Sequence, residues 1–265
     1  MRKTVIIAMA LAAVLAVAGV AFATNTYTTT GSITPAKSGT KKAPKAVTTV
    51  FAFNVGTTDG NRPSVTTTYN IKFGGVKSFG KLFKNCSFAA VSALGPLPAS
   101  DGVCHKALVG AGNVENSAGP TADPTPPSQS ACHLDLRLYN LPGGYLAIRL
   151  DGGPSNPKPC VITVGTAIDA KFIASSTGDS LQFSVPAGLQ HPIPGFDNAV
   201  LQTASTVKKL TVKRRVRING RTVSQKVGFL SSVSCPRNKK RVIAVSYTAA
   251  DGSKTASSAT TPCTS

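Results

Sequence analysis

Apolar residues recur at every second position through much of this chain. Leu134, Leu136 and Leu138 alternate with Asp135, Arg137 and Tyr139. Beyond Pro142-Gly143-Gly144, Leu146, Ile148 and Leu150 alternate with Ala147 and Arg149. A period of two with a glycine-rich break predicts a β-hairpin over 133–151 with one buried face. Val50, Phe51 and Phe53 predict a first strand, and Tyr69 to Val76 a second, bent at Gly74-Gly75. Residues 161–175 and 180–185 predict further strands. Val242 to Tyr247, ahead of Asp251-Gly252, opens a C-terminal hairpin. Ser87 can cap a short helix over the alanines that follow, which Gly95-Pro96 stops. Cys104 to Gly112 reads as a strand. Residues 113–131 carry Pro120, Pro124, Pro126 and Pro127 and read as a long surface loop. A helical period is nearly absent, and Glu115 is the one glutamate of the chain. Helices draw heavily on glutamate. The expected fold class is therefore all-β: an antiparallel β-sandwich with a long basic hairpin and a C-terminal hairpin.

The segment 207–230 changes the picture from fold to function. No acidic residue lies between Asp197 and Asp251, and that interval holds 12 of the 29 Lys and Arg residues. Asn219-Gly220 is the pair that a two-residue type I′ hairpin turn favours. Pairing outward from it sets Leu210 against Phe229, Val212 against Val227, Arg214 against Gln225 and Val216 against Val223. The opposite face then carries Lys209, Lys213, Arg215 and Arg217, joined by Lys226. Lys209 to Arg217 would span about 26 Å of extended strand. Such a line of charge can follow a polyanion, for example an anionic cell-wall polymer. The alternative is a solvated outer face whose cations prevent edge pairing. Specific nucleic-acid reading is not expected, since Phe229, the segment's one aromatic residue, falls on the apolar face.

The chain has 265 residues and a net charge of +19. It opens with Arg2-Lys3, an apolar run from Val5 to Phe22, and Ala21-Phe22-Ala23. This pattern predicts a signal peptide over 1–23 and a secreted or extracellular cell-surface location. An uncleaved membrane anchor is the alternative, because the run is just long enough to span. No later stretch could span a bilayer. Residues 24–46 contain Lys37, Lys41, Lys42 and Lys45 among Thr, Ser, Gly and Pro, and are expected to be a flexible basic linker. A disulfide-bonded domain is expected over 47–265, with a sub-boundary near 197.

The six cysteines, Cys86, Cys104, Cys132, Cys160, Cys235 and Cys263, all follow the expected signal. An even number in an exported chain reads as a disulfide set. Their spacing favours sequential pairing, Cys86 with Cys104, Cys132 with Cys160, and Cys235 with Cys263. A zinc site is the competing reading, but there is no Cys-x-x-Cys. No metal or cofactor is expected. His105, His133 and His191 do not sit in a catalytic motif, a Gly-x-Ser-x-Gly elbow is absent, and Gly110-Ala111-Gly112 lacks the third glycine of a dinucleotide loop. The expected function is non-catalytic. A secreted hydrolase with an unmarked site is the alternative.

Cys86-Ser87, the run Cys104-x-x-Ala107-x-Val109-Gly110-x-Gly112, Cys235-Pro236 and the terminal Cys263 resemble a group of secreted, disulfide-containing β-proteins of actinobacteria. The likeness runs from about residue 47 to 265 and departs from the group in the proline-rich segment after Gly112. It implies an exported, disulfide-bonded β-protein, and it carries over no activity and no functional residue.

Overall fold

The computed structural model describes residues 24–95, 101–153, 158–218 and 221–265. The expected signal peptide, the Pro96 helix stop and the Asn219-Gly220 turn lie outside them. The chain is almost entirely antiparallel β. In chain order the strands are β1 (Asn25–Thr34), β2 (Lys45–Ala46), β3 (Thr48–Thr57), β4 (Thr66–Phe73), β5 (Val76–Ser78), β6 (Leu108–Pro120), β7 (Ser130–Asn140) and β8 (Tyr145–Gly152). There follow β9 (Val164–Ile173), β10 (Ser180–Ser184), β11 (Phe196–Val207), β12 (Thr211–Ile218), β13 (Arg221–Gly228), β14 (Leu230–Ser232), β15 (Lys240–Ala249) and β16 (Lys254–Pro262). Two short helices, α1 (Phe88–Ser92) and α2 (Ala187–Gln190), interrupt them.

Eleven strands form one sheet in the order β1-β3-β11-β6-β7-β8-β9-β10-β4-β15-β16. The sheet curls until its two edges meet. Tyr27 of β1 stacks on Tyr247 of β15 with ring centroids 4.0 Å apart. Lys37, just past β1, bridges to Thr264, just past β16, and Ser38 N donates to Thr264 O at 2.7 Å. The two faces of the expected sandwich are thus parts of one nearly closed sheet, which leaves little free edge for aggregation. Its interior holds one apolar core that includes Phe51, Phe53, Tyr69, Phe73, Leu136, Ile148 and Tyr247. A three-stranded sheet, β2-β14-β5, lies at one end, together with the separate β12-β13 pair. This is called the hairpin end. Loops 58–65, 121–129 and 186–195 lie at the other, the loop end.

Several expectations change. Residues 24–46 are not a tether, because β1 pairs with β3 from Asn25–Thr57 to Thr34–Thr48 and Ile33 is buried. Threonine is β-branched and favours strands, so a Thr-rich run at a sheet edge needs few apolar residues. The expected sub-boundary near 197 falls inside the sheet, where β11 lies between β3 and β6. The expected loop over 113–131 is mostly strand, and only 121–129 remains a connection. Small residues mark β6 because neighbouring backbone comes close: a Cβ on Gly112 would sit 2.0 Å from Ala204 O.

The largest change concerns the hairpin β7–β8. Its register follows the alternation, with Leu136 opposite Leu150 and Leu138 opposite Ile148. Yet both of its faces are covered. Residues 86–95 and 101–107 fold back over its outer side and bury Tyr139, Leu141 and Ala147 with Val91 and the Cys86–Cys104 disulfide. Helix α1 has only five residues, too few to be stable alone in water. Ser87 caps it by accepting from Ala90 N, as its sequence predicts.

The other two disulfides are Cys132–Cys160 and Cys235–Cys263, so the sequential scheme holds. Cys235–Cys263 ties β14 to the end of β16. Replacing both of these cysteines by serine is expected to cost about 3–4 kcal/mol by loop-closure entropy. The check is urea unfolding of oxidised parent and variant, and equal midpoints would refute it.

Candidate functional site

The sequence-predicted hairpin exists. β12 and β13 pair with Val212 opposite Val227, Lys213 opposite Lys226, Arg214 opposite Gln225 and Val216 opposite Val223. Because the pleat alternates faces, Lys213, Arg215 and Arg217 leave β12 on the same side as Lys226, and all four are exposed. Lys209 is exposed too, but it precedes the strand, in a turn closed by Leu210 N donating to Lys208 O at 2.8 Å. The regular line of charge therefore runs from Lys213 to Arg217, about 13 Å. Lys209 stands beyond its base.

The inner face anchors the hairpin. Val227 is fully buried, and Phe229 N donates to Leu210 O. Arg214 interrupts the apolar row, and the structure accommodates it. Its Nε and Nη2 donate to Gln225 Oε1 at 3.2 and 3.1 Å, and its guanidinium lies 5.7 Å from the centre of the Phe79 ring, within cation–π range. Gln225 Nε2 in turn donates to Lys42 O at 2.9 Å. That bond lays segment 41–43 alongside β13. Gln225 leaves β13 on the face opposite Lys226, so Lys41 and Lys42, both exposed, add to the positive charge of this end but from the inner side of the hairpin. Sequence reasoning placed them in a linker and missed this. The signal was their charge, but not their position.

Charge is sorted along the sheet axis. The hairpin end also carries Lys37, Lys45, Lys208, Arg237, Lys239 and Lys240 in the segments that lead into or out of its strands. Asp179 at this end is bonded to Lys77 Nζ at 3.2 Å. The loop end collects Asp59, Asp123, Asp197 and Asp251 in its connections and strand starts, with Glu115 on the adjoining part of β6, against Arg62, Lys158 and Lys254. Such a distribution gives the molecule a field that favours approach of an anion to one end.

Three other charged groups have the geometry of sites. At the loop end, His191 Nδ1 lies 2.9 Å from Asp197 Oδ1, and Thr121 Oγ1 donates to that oxygen at 3.0 Å. Arg62 Nη2 holds the other oxygen at 3.0 Å. The hydroxyl thus reaches the carboxylate, whereas an activated nucleophile needs its hydroxyl on the imidazole. On β6–β7, His133 Nδ1 lies 2.6 Å from Glu115 Oε1, and Lys158 Nζ lies 3.0 Å from Glu115 Oε2. Burial opposes ionisation of Glu115, but the bonds from His133 and Lys158 outweigh it and hold the carboxyl below its usual range. His133 Nε2 has Asp135 at 3.8 Å. Among the described residues no group of three His, Cys, Asp or Glu side chains could hold a metal.

The third charged group, beneath α1, was not visible in sequence. Asp151 accepts from Arg137 Nη2 at 2.7 Å and from Arg149 Nε at 2.9 Å, and all three residues are at most 4% exposed. Arg149 also donates to Ser92 O and Leu94 O, and Arg137 to Gly95 O. Ser92 O is at the end of α1, where a helix leaves carbonyls without internal donors, and Leu94 O and Gly95 O follow just beyond it. Asp101 completes the balance, accepting from Arg137 Nη1 at 3.0 Å and from the Tyr139 hydroxyl. Burial, then the bond to Asp101, push the Tyr139 hydroxyl well above its usual pKa. For Arg137, burial acts downward, but the bond to Asp151 and its neighbours outweigh it and raise the pKa. The cluster fastens residues 92–95 and Asp101 to β7–β8.

Comparison with known proteins gives no match: no family model, no curated protein and no solved structure matches the chain. Among the described residues no helix is long and apolar enough to cross a membrane. Three disulfides accord with an extracellular protein.

Proposed function

We propose that this is a non-catalytic, secreted or cell-envelope β-protein that binds anionic surface polymer through the outer face of β12–β13. The observation that carries this reading is the register of the hairpin. It puts Lys213, Arg215, Arg217 and Lys226 on one exposed face, with Val212, Val216 and Val227 turned the other way. Lys213 directly opposite Lys226 costs stability, and an anion between them would relieve that cost. Lys209 stands beyond the base of this face, toward the body. Recognition of this kind reads charge density and spacing, not sequence or monomer identity. The resemblance to exported actinobacterial β-proteins fits a location at an anionic envelope. Against a hydrolase stands His191, whose neighbouring hydroxyl bonds the carboxylate instead of the ring.

The test is retention of the protein on immobilised teichoic-type wall polymer, heparin and a neutral glucan at low and high salt. The reading expects retention on both anionic matrices at about 50 mM salt, release well before 1 M, and passage through the glucan. Equal retention on the neutral glucan, or retention indifferent to salt, would overturn it.

A further inference from the structure

On the outer face of β12–β13 the two strands carry different chemistry. β12 contributes Lys213, Arg215 and Arg217 in succession, and β13 sets Lys226, Ser224 and Thr222 directly opposite them. All six residues are exposed. A row of cations therefore lies beside a row that passes from a cation to two hydroxyls. Arg62, Lys77, Arg137, Arg149 and Lys158 pair with carboxylates elsewhere in the molecule, whereas no carboxylate pairs with Lys213, Arg215 or Lys226 among the described residues. Neither strand contains an aromatic residue.

The row of cations has a pitch. Same-face neighbours on a strand are two residues apart, which is six backbone bonds and about 6.6 Å. A linear phosphodiester whose phosphates are joined through three carbons, P–O–C–C–C–O–P, also has six backbone bonds per repeat, so its extended repeat is roughly 7 Å. Three successive phosphates then meet Lys213, Arg215 and Arg217. A five-carbon bridge adds two bonds and lengthens the repeat to roughly 9 Å. Only two of its phosphates fit along the row, which is about 13 Å long. The buried Val227 and the bond from Phe229 N to Leu210 O fix the base of the ribbon, so the pitch is set before a ligand arrives. Arg215 and Arg217 supply planar forks that match phosphate oxygens in pairs.

We propose that the polymer held by this face is a polyol phosphate with three-carbon bridges. Its phosphates lie on Lys213, Arg215 and Arg217, and its hydroxyls lie against Ser224 and Thr222. This rests on the polymer-binding reading and narrows its substrate. Single-stranded nucleic acid has the same number of backbone bonds per phosphate, but its bases gain affinity from aromatic platforms, and this face offers none.

The test compares three oligomers of about eight phosphates each at about 50 mM salt, where charge contacts are strong: 1,3-linked glycerol phosphate, 1,5-linked ribitol phosphate and oligothymidylate. Isothermal titration calorimetry reads their affinities for the protein. The glycerol phosphate oligomer should bind about tenfold more tightly than the ribitol phosphate oligomer, because one contact fewer costs about that much at this salt. Arg215→Gln leaves cations only at the two ends of the row, and should bring the two polyol phosphates to within about twofold of each other. Equal affinities for the two polyol phosphates in the parent, both falling with salt, would overturn the inference and leave the polymer-binding reading standing. A tenfold preference that survives in Arg215→Gln would overturn it too, since the pitch would not be its source. Tighter binding of oligothymidylate than of glycerol phosphate would overturn it in favour of nucleic acid. No binding of any of the three would overturn the polymer-binding reading itself.

Discussion

Replacing Asp151 by alanine is expected to destabilise the protein by about 3–5 kcal/mol, the usual cost of removing one partner from a buried ion pair. Arg137 and Arg149 both donate to this carboxylate, and both are almost fully buried. Without it, Arg137 keeps Asp101, and Arg149 has no carboxylate partner left among the described residues. Each Arg also bonds carbonyls at 92–95, so the loss should spread to the covering segment. The dynamic consequence is local as well as global: amides of 88–95 and 101–107 should exchange faster than those of β15–β16. Urea unfolding and hydrogen exchange check both effects. A loss below about 1 kcal/mol, the range of exposed ion pairs, would show that the cluster is hydrated and does not fasten the segment. The slope of the unfolding curve should stay the same, since the variant removes stability and not surface.

Changing Lys213, Arg215 and Arg217 together to glutamine should remove most polymer binding without unfolding the chain. The three side chains are exposed, and exposed substitutions away from packing usually shift stability by about 0.5 kcal/mol or less. The apolar partners Val212, Val216 and Val227 keep their places. The binding loss is larger because it counts contacts. Each phosphate-type contact adds about 0.9 to the log–log salt slope on a duplex polyanion. Three lost contacts remove about 2.7 of a slope near −4.5, leaving roughly −1.8. Between about 50 and 200 mM salt the parent should lose affinity several hundred-fold, and the variant only about tenfold. Wild-type-like unfolding of the variant with unchanged heparin affinity would assign these cations to solubility alone.

How much of this was legible in the sequence depended on whether a residue's neighbours were local. In β7–β8, β12–β13 and β15–β16 the partner strand follows within one turn, so alternation and turn residues determine the register. Val212–Val227 and Lys213–Lys226 come out as pairs for that reason. β1 was illegible because its covering comes from the far end of the chain: Tyr27 packs on Tyr247, over 200 residues away. The same holds for Arg137 and Arg149. Alternation assigns them to water, and only a segment some 40 residues upstream turns that face into an interior. Lys41 and Lys42 are held at the hairpin end through one bond from Gln225 to Lys42, a contact that no local pattern encodes. The burial of Asn116 was hidden likewise, since a polar residue in an expected loop carries no signal of burial.

The most direct measurement of the central claim is the salt dependence of polyanion affinity for parent and triple glutamine variant side by side, by fluorescence anisotropy with a labelled heparin or duplex. The account predicts a parent log–log slope of about −4 to −5, from roughly five neutralised contacts at Lys209, Lys213, Arg215, Arg217 and Lys226, and a variant slope near −2. Coincident slopes for the two proteins, or a parent slope close to zero, would contradict it.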